Sequence, residues 1–372
     1  MNQIKLPAGF RDSILEEGTK KNKVKAILNE VFASYGYEEI VTPVLEYYQT
    51  YSNAFNTLND QEMYKFFDRS QDILALRMDM TVPIARAVTT RFQDEMGPFR
   101  LHYCANVYKV RPSLAGKQSE ATDCGVELIG LDSHSDLEVL TCALDGLQAL
   151  DLPSHILEIG TVRFFDEACR SARLSEEQRT KLADLIDRKS MVELKDYLQA
   201  LDLNDTITAF FLRLPLLSGG QDMLDEAYGC AFTPALREIV IELKGLADEL
   251  TALGYGRHVQ FDLGKIAHLD YYTGIIFEGF IEGAGTSVLS GGRYDQLLKV
   301  FGNDLPACGF SFKLDALIDH IEAPEKRAKV RLIYGPRQKV EAMQLARDLR
   351  REQIVELVPG FTDEIIIKEV EA

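Results

Sequence analysis

The stretch His268-Leu269-Asp270-Tyr271-Tyr272-Thr273-Gly274-Ile275 is followed some fifteen residues on by Ser290-Gly291-Gly292-Arg293-Tyr294-Asp295. The first run sets two tyrosines beside an aspartate at the start of an apolar, strand-like segment (Ile275, Ile276, Phe277). A tyrosine hydroxyl on a strand reaches a polar ligand without placing a full charge in the core. The second run reads as a glycine-flanked turn into a helix. Together they point to a ligand-holding strand and a turn beside it.

The rest of the chain narrows the context. A length of 372 residues exceeds one core and fits two or three domains. Lys plus Arg number 41 against 58 Asp plus Glu, a net charge of −17 that repels nucleic acid unless a local basic face exists. The short basic runs Lys20-Lys21-Asn22-Lys23 and Arg347-Asp348-Leu349-Arg350-Arg351 read as solvated helix faces. The six cysteines are scattered, with no C-x-x-C pair and no histidine-rich neighbourhood, so they read as free, mostly buried thiols in a reducing compartment. Neither a metal site nor a cofactor is expected. The N-terminus carries no apolar signal region, and no apolar run reaches the length of a membrane span. A cytoplasmic protein that contacts neither membrane nor nucleic acid is the expectation.

Periodicity divides the chain. Val24, Ile27, Leu28, Val31 and Phe32 recur at helical spacing from Lys23 to Phe32, and Gly36 ends that helix. Tyr37 to Tyr47 reads as a strand interrupted by Pro43, which belongs at a sheet edge near a subunit interface. Phe66 to Leu76, Phe99 to Val110 and Gly125 to Gly130 read as neighbouring strands of one antiparallel sheet. Ser135-x-x-Glu138 and Ser175-x-x-Gln178 have the form of capping boxes, and Thr233-Pro234 opens a helix that Gly254 closes. From about 167 to 253 the pattern is mostly helical, an insertion in a mixed body, and Val259 to Leu263 returns to strand character. Beyond Pro324, strands at 330–334, 354–358 and 365–370 surround a helix at 340–351, a short α/β piece too small to bury much core alone.

The opening runs resemble the histidine-binding segments of the class II histidyl-tRNA synthetases, and further markers occur in family order over roughly Leu6 to Ile321. Gly36 to Glu46 resembles motif 1, the dimer-forming segment. Leu76-Arg77-Met78-Asp79-Met80-Thr81 resembles the loop whose acid binds the amino group of histidine. Gly125-Val126-Glu127-Leu128-Ile129-Gly130 resembles the end of motif 2, whose glutamate faces the bound histidine. The resemblance implies an α+β fold: a class II aminoacyl-tRNA synthetase-like antiparallel sheet flanked by helices, in a core over 1–323 with a helical insertion and a truncated C-terminal α/β segment over 324–372. It also implies a histidine pocket built from Asp79, Glu127, Tyr272 and Tyr294. Asp123 stands where that family has a glutamine.

The nucleotide half of the resemblance fails. Where motif 2 has an arginine and then a glutamate, this chain has Lys109 and Arg111; the adenine-stacking aromatic aligns with Ala121; the catalytic arginine of the Asp270 segment aligns with Ala267; and the motif 3 arginine aligns with Ala316. Lys265, two residues before Ala267, shares its face on a strand and is a candidate replacement cation. Arginine suits a triphosphate because its fork bonds two oxygens and keeps its charge. A charge-assisted hydrogen bond contributes about 1.5–3 kcal/mol. Losing two or three therefore costs roughly 3–9 kcal/mol, at about 1.4 kcal/mol per tenfold in rate. No catalytic residue is expected.

A synthetase-like body that keeps its amino-acid grip and loses its nucleotide grip resembles the family of ATP phosphoribosyltransferase regulatory subunits. That resemblance implies a protein without catalysis of its own. It would dimerise through its synthetase-like core, join a short-form ATP phosphoribosyltransferase catalytic subunit in a hetero-octamer, and take histidine as effector in the first step of histidine biosynthesis. A divergent histidyl-tRNA synthetase and a tRNA-binding paralogue are the alternatives.

Overall fold

The computed structural model describes residues 5–55, 60–93, 95, 97–111, 118–152, 154–266, 271–324 and 328–370. In chain order the first elements are α1 (Glu16–Ser34), β1 (Glu38–Glu39), β2 (Leu45–Tyr47), α2 (Tyr48–Ala54), β3 (Lys65–Phe67), β4 (Ile73–Leu76), α3 (Thr81–Arg91), β5 (Phe99–Tyr108), β6 (Glu120–Ile129) and α4 (Asp136–Ala149). Next come β7 (His155–Thr161), α5 (Val162–Ser171), α6 (Glu176–Asp187), α7 (Met191–Ala200), α8 (Asp205–Arg213), β8 (Ser218–Gly219), α9 (Met223–Cys230) and α10 (Pro234–Ala252). The chain continues through β9 (Val259–Asp262), β10 (Ile275–Ile281), β11 (Leu289–Arg293), α11 (Leu297–Val300), β12 (Ala307–Lys313), α12 (Leu314–Leu317), β13 (Lys329–Tyr334), α13 (Lys339–Leu349), β14 (Ile354–Pro359) and β15 (Ile366–Val370).

Among the described residues, nine strands form one sheet in the order β1-β5-β6-β12-β11-β10-β7-β9-β8. Every pairing in it is antiparallel except β1 with β5 and β7 with β9. Side chains alternate across a strand, and the sheet uses both faces. Cys124, Val126 and Leu128 of β6, with Cys308, Phe310 and Phe312 of β12, join α1 and α4 in one core. Leu101, Tyr103 and Val107 of β5, with Ala307 of β12, turn the other way and pack with α3, Tyr271 and Tyr294. The second face is where the candidate site lies.

Helix α1 is longer than the Lys23–Phe32 expectation, and its inward stripe is Val24, Leu28 and Phe32, all fully buried. Gly36 follows it at φ +79°, a left-handed position that terminates the helix cheaply only for glycine. Helices α5 to α10 lie between Val162 and Ala252, and Ser175 with Gln178 makes the expected capping box. The stretch is not wholly helical: the two residues of β8 pair with β9 and extend the main sheet.

Several local expectations need correction. Phe66 to Leu76 is two strands. Asp68 accepts hydrogen bonds from the backbone N–H of Ser70 and Asp72 and turns the chain between β3 and β4. Those strands do not join the main sheet but form a three-stranded one with β2, in the order β2-β4-β3. Tyr37 to Tyr47 contains only the short β1 and β2. The segment between is held by the buried Arg77 guanidinium, which donates to the carbonyls of Thr42 at 2.8 Å and Asn106 at 2.7 Å. Ser135 does not cap α4: its hydroxyl donates to the Asp132 carbonyl, closing a short turn before the helix. Ser290 to Arg293 is strand β11, not a turn. Its glycines are there for close approach, since a Cβ on Gly291 would lie 2.4 Å from the Gly309 carbonyl. The six cysteines are not all free: Cys104 and Cys124, directly opposite on β5 and β6, are joined in a disulfide. Linear spacing did not reveal a pair brought together by strand register.

The described chain divides into two compact units, Met1–Ile321 and Glu322–Ala372. In the second, β13 runs parallel to β14 and antiparallel to β15. Val330, Leu332, Ala346 and Val355 make its small core.

Phe32 is fully buried against Phe310, Phe312 and His102. Phe32→Ala is expected to destabilise the protein by about 3–5 kcal/mol, read as a lower urea midpoint at unchanged m-value.

Candidate ligand-binding site

The site is centred on Glu127, near the C-terminal end of β6 and only 1% exposed. Its neighbours Val126 and Leu128 point into the helix-covered core, so alternation turns the carboxyl to the opposite face. There Oε1 accepts a hydrogen bond from the Thr81 hydroxyl at 2.7 Å, and Oε2 accepts one from the Tyr294 hydroxyl. Burial pushes the carboxyl up to about 8, against the two hydrogen bonds, which favour its charged form. The room for Glu127 is made by Gly309, its register partner on β12: a Cβ there would sit 1.9 Å from Oε2.

Tyrosines wall the site. Tyr294, 2% exposed, stands directly after β11. Tyr271 lies edge-on to Tyr272, with ring centroids 5.0 Å apart, and to Tyr294 at 5.8 Å. Tyr272 presses on β11 so closely that a Cβ on Gly292 would be 2.7 Å from its ring. Of the two adjacent tyrosines, Tyr271 is the more deeply buried and belongs to the core on this face, with Tyr272 packed against it.

The other acids converge here. Asp79 precedes α3, and its Oδ1 accepts from the Val82 N–H at 2.9 Å, satisfying one orphan donor at the helix start. Burial raises the Asp79 carboxyl, partly offset by that hydrogen bond and by the charge of Lys109. Asp123 is opposite Ala105 on one side and Lys313 on the other. Burial raises it to about 6, while Lys109 and then Lys313 pull it down. Lys313 donates to the Ser287 hydroxyl at 2.8 Å, and burial lowers its affinity for the proton. Asp79, Asp123, Glu127, Tyr272 and Tyr294 therefore share one locale.

The positions aligned with the nucleotide half scatter. Lys109 alone among those described faces the acids of the site. Arg111 is 3.5 Å from Glu62. Ala121 packs on the tyrosine side of the sheet and Ala316 on the helix-covered side. Ala267, with His268, Leu269 and Asp270, lies outside the described residues. Lys265 is no substitute cation for that position: it is paired with Glu158 at 3.2 Å and with Glu278. Arg293 is structural, bonding the buried Asp136 through Nε at 2.8 Å and Asp295 through an NH group at 2.8 Å. Among the described residues no group of three or more His, Cys, Asp or Glu could hold a metal ion.

Three members of the site escaped sequence reasoning: Thr81, Tyr103 and Lys313. Thr81 opens α3 and reads locally as a helix start. Tyr103 and Lys313 could have been found only from strand register, which places them beside Gly125 and Asp123.

Because the acid form of Glu127 is favoured in the folded chain, the folded state binds more protons than the unfolded one between its ordinary 4.5 and about 8. Stability should therefore fall as pH rises through that window, and Glu127→Gln should flatten the slope in denaturation series at several pH values. Lys109→Met should move the Asp123 titration above about 6, followed by carboxyl NMR.

Residues 9–317 match the family model described as histidyl-tRNA synthetase. The ATP phosphoribosyltransferase regulatory subunit of Clostridium kluyveri is 35% identical over 367 residues, covering 96% of this chain and 94% of that protein. That of Clostridium acetobutylicum is 36% identical over 316 residues, covering 84% and 78%. The crystal structure described as an ATP phosphoribosyltransferase regulatory subunit/histidyl-tRNA synthetase from Bacillus halodurans aligns with a TM-score of 0.87 at 32% identity, covering 96% and 94%. The histidyl-tRNA synthetase of Nostoc shares the fold, with a TM-score of 0.77 at 20% identity, covering 98% of this chain and 87% of that one. On sequence and fold together, the chain belongs to the family of ATP phosphoribosyltransferase regulatory subunits, which has the class II histidyl-tRNA synthetase fold.

Proposed function

We propose that this chain is a non-catalytic subunit required by a short-form ATP phosphoribosyltransferase catalytic subunit, and that it carries the histidine feedback of the first step of histidine biosynthesis. Relatives bearing the regulatory-subunit name along nearly the whole chain support the regulatory role. The observation that carries the finer reading is the Glu127 carboxyl, held between Thr81 and Tyr294 beside Asp79, with no arginine among the described residues at the positions aligned with the triphosphate grip. Histidine brings an imidazole and an ammonium group. Glu127 and the tyrosine hydroxyls suit the first, and Asp79 suits the second.

Histidine in such a pocket regulates only if it binds one assembly state better than another. The assembly proposed is a homodimer of synthetase-like cores within a hetero-octamer, in the cytoplasm, with neither nucleic acid nor membrane as partner. On one face of the β2-β4-β3 sheet, register and alternation set the exposed Leu45, Tyr47 and Phe66 together, an apolar patch of the kind that subunit contacts cover. Among the described residues, no helix is long and apolar enough to cross a membrane.

Mixing the chain with a short-form catalytic subunit should raise phosphoribosyl transfer to ATP by about tenfold or more, and histidine should reverse the gain. Calorimetry should give saturable histidine binding that Glu127→Ala abolishes and Glu127→Gln weakens. ATP–pyrophosphate exchange driven by histidine, catalysed by this chain alone, would overturn the reading in favour of a divergent synthetase.

A further inference from the structure

Cys104 and Cys124 are register partners in the longest ladder of the main sheet, with Cα atoms 4.1 Å apart. Among the described residues the other four cysteines are unbonded, and Cys142, Cys169 and Cys308 are buried. The two halves of the bond differ in access. Cys124 is fully buried in the core under α1 and α4. Cys104 is half-buried and lines a surface cleft of about 340 Å³ shared with Thr42, Val44, Arg77 and Tyr108.

We propose that Cys104 and Cys124 form a reversible thiol–disulfide site whose state sets the spacing of β5 and β6 beside Asp123, and with it the affinity of the pocket for histidine. The second half of this rests on the histidine reading above. In a reducing compartment a disulfide of this kind is transient rather than structural. The chemistry is exchange with a cellular dithiol. One thiolate of the reductant attacks Cys104 Sγ, the Sγ–Sγ bond breaks, and its electron pair leaves on Cys124 Sγ, which takes a proton. The reductant's second thiolate then attacks its own sulfur in the mixed disulfide and expels Cys104, which is protonated in turn. Two electrons and two protons enter the protein, and the reductant leaves as a disulfide. Attack falls on Cys104 because the cleft opens on it, and the Arg77 guanidinium in the same lining favours an approaching thiolate.

The consequence follows from register. The pairs on either side of the bond are Tyr103 with Gly125 and Ala105 with Asp123. Tyr103 and Asp123 both belong to the site face. The sheet has little slack there: a Cβ on Gly125 would lie 2.0 Å from the Phe310 carbonyl and 2.7 Å from the Tyr103 hydroxyl. Directly opposite residues of an antiparallel pair ordinarily sit about 4.5–5.5 Å apart at Cα, against 4.1 Å across this bond, so reduction lets the strands relax apart between the two residues that flank the pocket.

The test uses the full chain. After treatment with oxidised glutathione, alkylation and peptide mass spectrometry should find Cys104 and Cys124 protected together. After dithiothreitol Cys104 should be labelled in the native protein, with the buried Cys124, Cys142, Cys169 and Cys308 labelled only once the chain is unfolded. Histidine Kd, measured by calorimetry, should differ by about fivefold or more between the two states. The difference should vanish in Cys104→Ser and persist in Cys230→Ser. Labelling of Cys104 in the oxidised sample, or equal affinity in both states, overturns the proposal. Absence of histidine binding in either state removes the pocket reading and the affinity half with it, while the alkylation pattern still decides whether the exchange occurs.

Discussion

A carboxyl group buried in a sheet must be met by donors, and the contact of Glu127 with Thr81 and Tyr294 is the constraint on which the rest of this site depends. It ties three separate pieces of chain: the C-terminal part of β6, the first turn of α3 and the end of β11. It also dictates composition at a distance. Gly309 has no side chain because Glu127 occupies that space, and Gly292 has none because the Tyr272 ring does. The glycines that read as a turn signal are therefore close-packing positions in a continuous sheet.

The same sheet separates two jobs by alternation. Even-numbered positions on β6 and β12 build the core beneath α1 and α4, and odd-numbered ones line the polar face. Stability and ligand chemistry thus lie on opposite sides of one backbone. Ala121 and Ala316, aligned with an aromatic and an arginine respectively, pack on the two sheet faces without disturbing the ladder. The remaining lysines are engaged locally, Lys265 by Glu158 and Glu278 and Lys313 by Ser287, and Lys109 faces carboxylates. Such a face suits a ligand with an ammonium group better than a triphosphate, because polyphosphate would meet Asp79, Asp123 and Glu127 with too few cations to offset them.

Much of this was legible in order along the chain. The Leu-Asp-Tyr-Tyr-Thr run, the Gly-Val-Glu segment and the Arg-Met-Asp loop lie far apart in sequence; each alone is a weak signal, and their order along the chain is what reads as one arrangement. The α1 stripe, the Ser175 capping box and the Thr233-Pro234 helix start were equally plain, because capping and helical periodicity are short-range. Errors arose where long-range pairing decides. Phe66 to Leu76 looked like one strand until Asp68 turned it. Ser135 looked like a cap although its hydroxyl serves the Asp132 carbonyl. The cysteines looked free because nothing in their spacing announces that residues 104 and 124 face each other.

The sequence by itself determined the inventory: acids and tyrosines in the order that a resemblance to histidine-binding segments implies, alanines and a lysine where that family has arginines, and helices whose apolar stripes specify burial. Those are properties of side-chain identity and short-range spacing. Only the tertiary structure decided that both Glu127 oxygens are already bonded, that Lys265 is committed elsewhere, and that Cys104 meets Cys124. Each of these depends on strand register, and a shift of one residue would turn every such side chain to the opposite face.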